Sequence, residues 1–186
     1  MALAAPPVIE SPRLAVRIVE KSDLSDLMRV NGNREVTRFL PYPTWESMAD
    51  AESWFERMAG LQATGTALQF VVVDRLSGSA IGTCLVFRYD EGSRRAELGY
   101  ALGRSHWGAG YMREALHAVI GHAFGAMGLR RLEAEVNPAN GASVRLLERL
   151  GFVREGVLRQ RWVSAQQPYD VAVYGLLRHE FARSAS

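Results

Sequence analysis

The sequence of 186 residues is poor in most features that would force an unusual architecture. A single cysteine, Cys84, excludes an internal disulfide, and its place in the apolar run 81–86 makes it a small core residue suited to a reducing cytoplasm. Net charge is nearly absent: 22 basic residues oppose 20 acidic ones, and the remaining +2 is too weak a field to demand nucleic acid or an anionic membrane. Lysine is almost missing, Lys21 being the one example, and an arginine preference this general describes the whole composition and not one anion site. Nowhere do 18 apolar residues run together, which excludes a spanning helix, and residues 1–7 lack the basic and apolar regions of an export signal. A cytoplasmic protein that does not touch a membrane is expected, and its partners must be argued from local sites.

What is present is a 48% hydrophobic, 23% charged chain, enough to bury one core. The length suits a single domain over 1–186, with 1–12 and 183–186 expected as flexible tails. Leu14, Val16 and Ile18 alternate as a first strand. Ser22 is placed to cap a helix carrying Leu24, Leu27 and Met28, and Thr44 to cap a second carrying Ala51, Phe55 and Met58. Three strand-like runs, 69–74, 80–88 and 94–102, are separated by short turns and predict an antiparallel meander. The strongest helix, 111–127, follows; then come a strand 131–136, a short helix 142–150 and two strands near 157–163 and 170–177. The order βααβββαβαββ predicts an α/β (α+β) fold: a mixed, mostly antiparallel sheet of about seven strands with helices on both faces.

The chemically richest segment is Ser105-His106-Trp107-Gly108-Ala109-Gly110-Tyr111, between a strand and the long helix. Two glycines one residue apart let several N–H groups point into one concavity at a helix N-terminus, where the dipole favours a phosphate. A dinucleotide fingerprint would need a third glycine where Arg113 stands, and a nucleotide P-loop would need a lysine that the loop lacks. A glycine-rich turn without a ligand stays open on the loop alone.

The wider pattern is more specific. Glu97-Leu98-Gly99-Tyr100-Ala101-Leu102, then Trp107-Gly108-Ala109-Gly110-Tyr111 with Glu114-Ala115-Leu116, then Asn137-Pro138-Ala139-Asn140-x-x-Ser143, and Leu150-Gly151-Phe152 with Glu155-Gly156, together resemble the GCN5-related N-acetyltransferase (GNAT) superfamily. Within it they are similar to the RimJ/RimL type, which acetylates ribosomal-protein N termini, and the likeness runs from about Arg13 to Phe181. It implies a sheet splayed between its fourth and fifth strands, those holding Glu97 and Glu133, to admit acetyl-CoA. It implies that the loop, Ser105 to Tyr111 with Met112 after it, holds the pyrophosphate, that the backbone of Leu98, Gly99 and Tyr100 pairs with the pantetheine arm, and that Asn140 and Ser143 approach the same arm near its sulfur. Ser105 departs from the Gln or Arg that opens the loop signature in relatives.

Transfer of an acetyl group to an amine needs the neutral amine, so a base is required near pH 7. If the strand alternates, Glu97 lies with Gly99 and Ala101 on the face opposite Leu98 and Tyr100, a lone carboxylate beside small residues; it is the candidate base, with an ion pair to Arg94 or Arg95 as the other reading. The resemblance implies a tyrosine beyond the Gly-Phe turn to assist the leaving thiolate, but residues 153–167 contain none, so Ser143, which the resemblance places near the sulfur, is the second catalytic candidate; Asn140 serves equally as a helix cap. His117 and His122 are not on one helix face, so no metal is expected. The expected activity is transfer of acetyl from acetyl-CoA to a primary amine, foremost the N-terminal amine of a ribosomal protein. A small amine (antibiotic, amino acid, or a polyamine held by Asp50, Glu52 and Glu56) and a silent acyl-CoA-binding module are the alternatives, with the chain a monomer or homodimer.

Overall fold

A computed structural model describes residue 3 and residues 6–164 and 167–184. Its elements are β1 (Ile9–Glu10), β2 (Leu14–Ile18), α1 (Leu24–Asn31), α2 (Arg34–Thr37), α3 (Met48–Ala63), β3 (Leu68–Asp74), β4 (Ala80–Asp90), β5 (Arg95–Leu102), α4 (Tyr111–Gly125), β6 (Arg131–Val136), α5 (Gly141–Arg149), β7 (Val153–Ser164), β8 (Gln167–Leu177) and α6 (Arg178–Ser184). Short 3-10 turns at Lys21–Asp23 and Arg104–His106 precede α1 and α4. The strands form one sheet in the order β1-β2-β3-β4-β5-β6-β8-β7. Every neighbouring pair is antiparallel except β5 with β6, which run parallel and are joined by the crossover helix α4.

The sheet has a core on each face. On one, Met112, Leu116, Ile120 and Phe124 of α4 and Leu147 of α5 pack on Phe70, Val72, Leu98 and Leu132. On the other, Leu24 and Leu27 of α1 and Trp54 and Met58 of α3 pack on Val71 and Ala101. Both faces of the central strands are therefore apolar, with side chains alternating between the two cores. Trp45 and Trp54, with ring centroids 5.4 Å apart, belong to the second core.

The expected order holds, with additions that periodicity could not reveal. The sheet has eight strands because Ile9 and Glu10 pair with Val16 and Ala15, within the stretch expected as an N-terminal tail. A two-residue strand has no period to read; its partner defines it. Leu3 is also buried, its N–H bonded to Gly65 O. Residues 1, 2, 4, 5, 185 and 186 of the expected tails lie outside the described residues, while 183 and 184 close α6. The start of α3 is set by Ser47, not Thr44: Ser47 and Asp50 form a reciprocal capping box, whereas Thr44 Oγ1 bonds Thr37 Oγ1 at 2.6 Å. Likewise Glu20 and Asp23, not Ser22, form the capping box ahead of α1.

Candidate active site

The loop before α4 is built from backbone. Gly108 and Gly110 both take the left-handed conformation, φ +76° and +81°, which a side chain would strain by about 1–2 kcal/mol at each position. The first rung of α4 is Glu114 N–H to Gly110 O at 3.1 Å, leaving the N–H groups of Tyr111, Met112 and Arg113 without intrahelical acceptors at the positive end of the helix dipole. A Cβ placed on Gly108 would meet nothing within 4 Å, so the loop is open on that side. Trp107, 43% exposed, is pinned by its indole N–H to Leu102 O at 2.8 Å, and the His106 and Tyr111 rings meet edge to face.

Next to the loop the sheet parts. β5 and β6 pair from Arg95↔Arg131 to Glu97↔Glu133, and among the described residues their pairing extends no further. Beyond Glu97 the edge of β5 that faces β6 is thus left without a strand partner, while its other edge pairs with β4 from Glu97 to Leu102. A cleft of about 870 Å³ fills the gap and continues past the glycine loop at one end and past residues 38–41 at the other.

On one face of the parted strands the hydroxyls of Tyr100 and Ser143 are 2.6 Å apart. Burial pushes the Tyr100 phenol up to about 12, so it is a neutral O–H at physiological pH. Asn140 caps α5, its side-chain oxygen accepting from Ser143 N at 3.2 Å, which sets the hydroxyl on the first turn facing Tyr100.

On the opposite face lies Glu97, 8% exposed, accepting from Arg88 Nη1 at 2.7 Å. The same nitrogen is 3.8 Å from Glu135, and the Arg88 guanidinium lies 5.9 Å from the Trp162 ring. Trp162 in turn donates its indole N–H to Glu135 at 2.7 Å. Both Arg88 and Trp162 sit where the strand register shifts, between Phe87 and Asp90 on β4 and between Leu158 and Trp162 on β7, and Arg88 has φ +50°. Such bulges re-aim side chains, here into the cleft.

Residues 13–153 match the acetyltransferase (GNAT) domain family. The chain is 34% identical over 170 residues to an uncharacterized N-acetyltransferase, p20, of Bacillus licheniformis, covering 91% of this chain and 96% of that one.

This chain is a GNAT acetyltransferase.

It is also 31% identical over 160 residues to the [ribosomal protein uS5]-alanine N-acetyltransferase of Escherichia coli, covering 80% of this chain and 79% of that one. The crystal structure of spermidine N-acetyltransferase from Vibrio cholerae in complex with CoA and spermine shares the fold, with a TM-score of 0.81 at 23% identity, covering 92% of this chain and 99% of that one. The GNAT domain carries N-acetyltransferase activity, and the family uses acetyl-CoA.

The cleft of this GNAT enzyme collects most of the residues singled out in the sequence: Glu97, Leu98, Gly99, Tyr100, His106, Trp107, Gly108, Gly110, Tyr111, Met112, Asn140 and Ser143 all line it. Two others do not. Ser105, in the 3-10 turn at Arg104–His106, lines a separate cavity of about 530 Å³, its hydroxyl 3.0 Å from His106 Nδ1. Ala109 O turns outward to Arg13. The arginine paired with Glu97 is Arg88, across the β4–β5 ladder, and not Arg94 or Arg95; Arg95 instead holds Glu133 at 2.8 Å. The cleft also holds a tyrosine hydroxyl, that of Tyr100, which was read from the sequence only as a backbone position. Its place on the same strand face as Leu98 was the available signal. Arg88, Glu135, Trp162 and Tyr169, which line the far end, carried none.

Proposed function

We propose that this enzyme acetylates the α-amine of a protein N terminus, a ribosomal protein being the leading acceptor, in a cytoplasmic setting. The carrying observation is the pairing of the cleft's acids. Three carboxylates line it, and each has an arginine partner: Glu97 with Arg88 at 2.7 Å, Glu135 with Arg161 at 3.6 Å, and Glu35 with Arg104 at 2.9 Å. A polyamine carries several positive charges and needs unmatched carboxylates along its length; a peptide N terminus brings one charge, followed by a chain that apolar Phe39, Leu40 and Phe87 can cover. Asp50, Glu52 and Glu56, considered from the sequence as a polyamine pocket, do not line the cleft: Asp50 caps α3 and Glu52 pairs with Lys21 at 3.7 Å.

The residues suit acetyl-CoA on two observations. Gly108 leaves open space and the start of α4 leaves N–H groups without intrahelical acceptors, matching a diphosphate, and the unpartnered edge of β5 offers its peptide groups to an amide-bearing arm. In this reading Gly108, Gly110, Tyr111 and Met112 hold the diphosphate, and Leu98, Gly99 and Tyr100 hold the arm with Asn140. Acetyl-CoA supplies the activated acetyl thioester, and its thiol is the leaving group.

An α-ammonium of pKa near 8 is mostly protonated at pH 7, so Glu97 removes a proton from it, directly or through a water. Arg88 holds the Glu97 carboxylate by one oxygen, leaving the other to face the amine. From the opposite face the Ser143 hydroxyl, backed by the Tyr100 O–H, provides a proton or a hydrogen bond where the thiol forms. The base and the hydroxyl pair thus meet through the parted strands from opposite sides.

The test is incubation with acetyl-CoA and a panel containing ribosomal-protein N-terminal peptides, spermidine and amino acids, following thiol release and acetyl addition by mass. Transfer to peptide α-amines with spermidine and the amino acids left unmodified is expected. Transfer to spermidine or to small amines in preference to peptides overturns the acceptor assignment.

A further inference from the structure

The motif Glu114-Ala115-Leu116 finds no task in the chemistry above, yet Glu114 is the most fully engaged carboxylate near the loop. It does not cap its own helix. Oε1 accepts from Arg13 N and from Ser11 Oγ, both at 2.8 Å, and Oε2 accepts from Arg13 Nε at 2.6 Å. All three donors come from the turn between β1 and β2, about a hundred residues away in sequence. The Arg13 guanidinium then reaches on to the glycine loop: Nη1 donates to Ala109 O at 3.0 Å, and the group stacks 4.3 Å from the centre of the Tyr111 ring.

The consequence follows from peptide geometry. A trans peptide is planar, with its C=O and the next residue's N–H pointing opposite ways. Pulling Ala109 O outward to Arg13 therefore turns the Gly110 N–H away from Arg13, toward the cleft that Gly110 lines. The left-handed Gly110 on one side of this peptide gives it freedom to rotate, and the arginine removes that freedom. Arg13 itself is not among the residues lining the cleft.

We propose that Arg13 and Glu114 are positioning residues: a lock from the first hairpin to α4 that fixes the peptide between Ala109 and Gly110 in the orientation that binds the diphosphate of the acetyl donor. The proposal rests on the loop being the diphosphate cradle. The lock removes the rotational entropy of the loop before binding, so its loss weakens the ligand portion the loop holds and spares the rest.

Two measurements test it on the full chain carrying Arg13→Ala, Glu114→Gln or Arg13→Lys. The first is 15N NMR relaxation of the ligand-free protein, which reads the motion of N–H groups whether or not they are hydrogen-bonded. The order parameters of residues 109 and 110 are expected to fall from about 0.85 to below about 0.6 in Arg13→Ala, with β3 and β4 unchanged; order parameters as high as in the parent overturn the lock, whatever the loop binds. The second is calorimetry with coenzyme A and with pantetheine, which lacks the nucleotide and diphosphate. About tenfold weaker coenzyme A binding in Arg13→Ala, with unchanged pantetheine binding, is expected, corresponding to loss of one charge-assisted hydrogen bond. Arg13→Lys should recover only part of this, since a point charge cannot serve Glu114 and Ala109 O together. A parallel loss for both ligands, or a fall in melting temperature with neither affinity changed, reduces the pair to a structural tie and overturns the proposal. If the parent protein itself binds coenzyme A no better than pantetheine, the cradle reading fails, and the relaxation experiment still decides whether the lock exists.

Discussion

The loop wall of the cleft, residues 108–112, presents backbone N–H groups, whereas the far wall presents side chains gathered from the segment after α2 and from β4, β5, β6, β7 and β8. The first wall depends on what is missing, the Cβ atoms at Gly108 and Gly110. The second depends on what is held, since Arg88, Glu97, Glu135 and Trp162 fix one another through charge and hydrogen bonds. A backbone wall recognises an invariant chemical group and tolerates change in its surroundings. A side-chain wall can be rebuilt residue by residue, which is where relatives with different acceptors have room to differ.

Substitutions on the two walls should therefore separate in kinetics. Glu97→Gln, on the side-chain wall, is expected to have the largest effect: a fall in kcat of roughly 10²–10⁴-fold with the KM for acetyl-CoA unchanged, measured by initial rates across pH 6–9. Near-parental turnover throughout that range would remove Glu97 from the chemistry and leave Arg88 and Glu97 as a structural pair. Gly110→Val comes next. A branched side chain in a left-handed site costs about 1–2 kcal/mol, and the loop can avoid that strain only by losing its shape. The KM for acetyl-CoA should rise about tenfold while the KM for the acceptor stays constant. A rise in both would show that the two walls act as one, contrary to the division drawn above.

The same division explains what could be read in advance. The loop lies in seven consecutive residues, and its glycines sit just before a helix whose apolar period is unmistakable, so its place in the fold was legible. Glu97 was legible because strand alternation put it alone among small residues. Arg88 and Trp162 were not, because each sits at a bulge, and a bulge breaks the two-residue period on which strand readings depend. Nothing in the residues around Arg88 signals that a non-glycine will adopt φ +50° there. Arg13 escaped for a different reason: its partner Glu114 is reached only through the fold, and the two-residue β1 that anchors the turn has no pattern of its own. Tyr100 was assigned to the right strand and the right face, but its hydroxyl acquires a partner only once α5 brings Ser143 to it.

The smallest expected effect lies on the loop wall and concerns proton linkage at Glu114. Burial pushes this carboxyl up, but the hydrogen bonds from Arg13 N, Ser11 Oγ and the Arg13 guanidinium outweigh it, so its pKa in the folded chain lies below the ordinary carboxylate value. A group whose pKa is depressed by folding stabilises the fold fully above its unfolded value, near 4.3, and loses that contribution as pH falls through the folded value. The melting temperature of the parent should therefore exceed that of Glu114→Gln at pH 6–7, and the gap should narrow as the pH is lowered below about 4, since glutamine does not titrate. A gap that stays constant down to pH 3 would mean that the tie to the first hairpin is carried by the neutral contacts of Arg13 and Ser11 and not by the charge. The loop would then be held by shape alone, and the contrast between an uncharged backbone wall and a charged side-chain wall would become sharper than the ion pair at Glu114 now makes it.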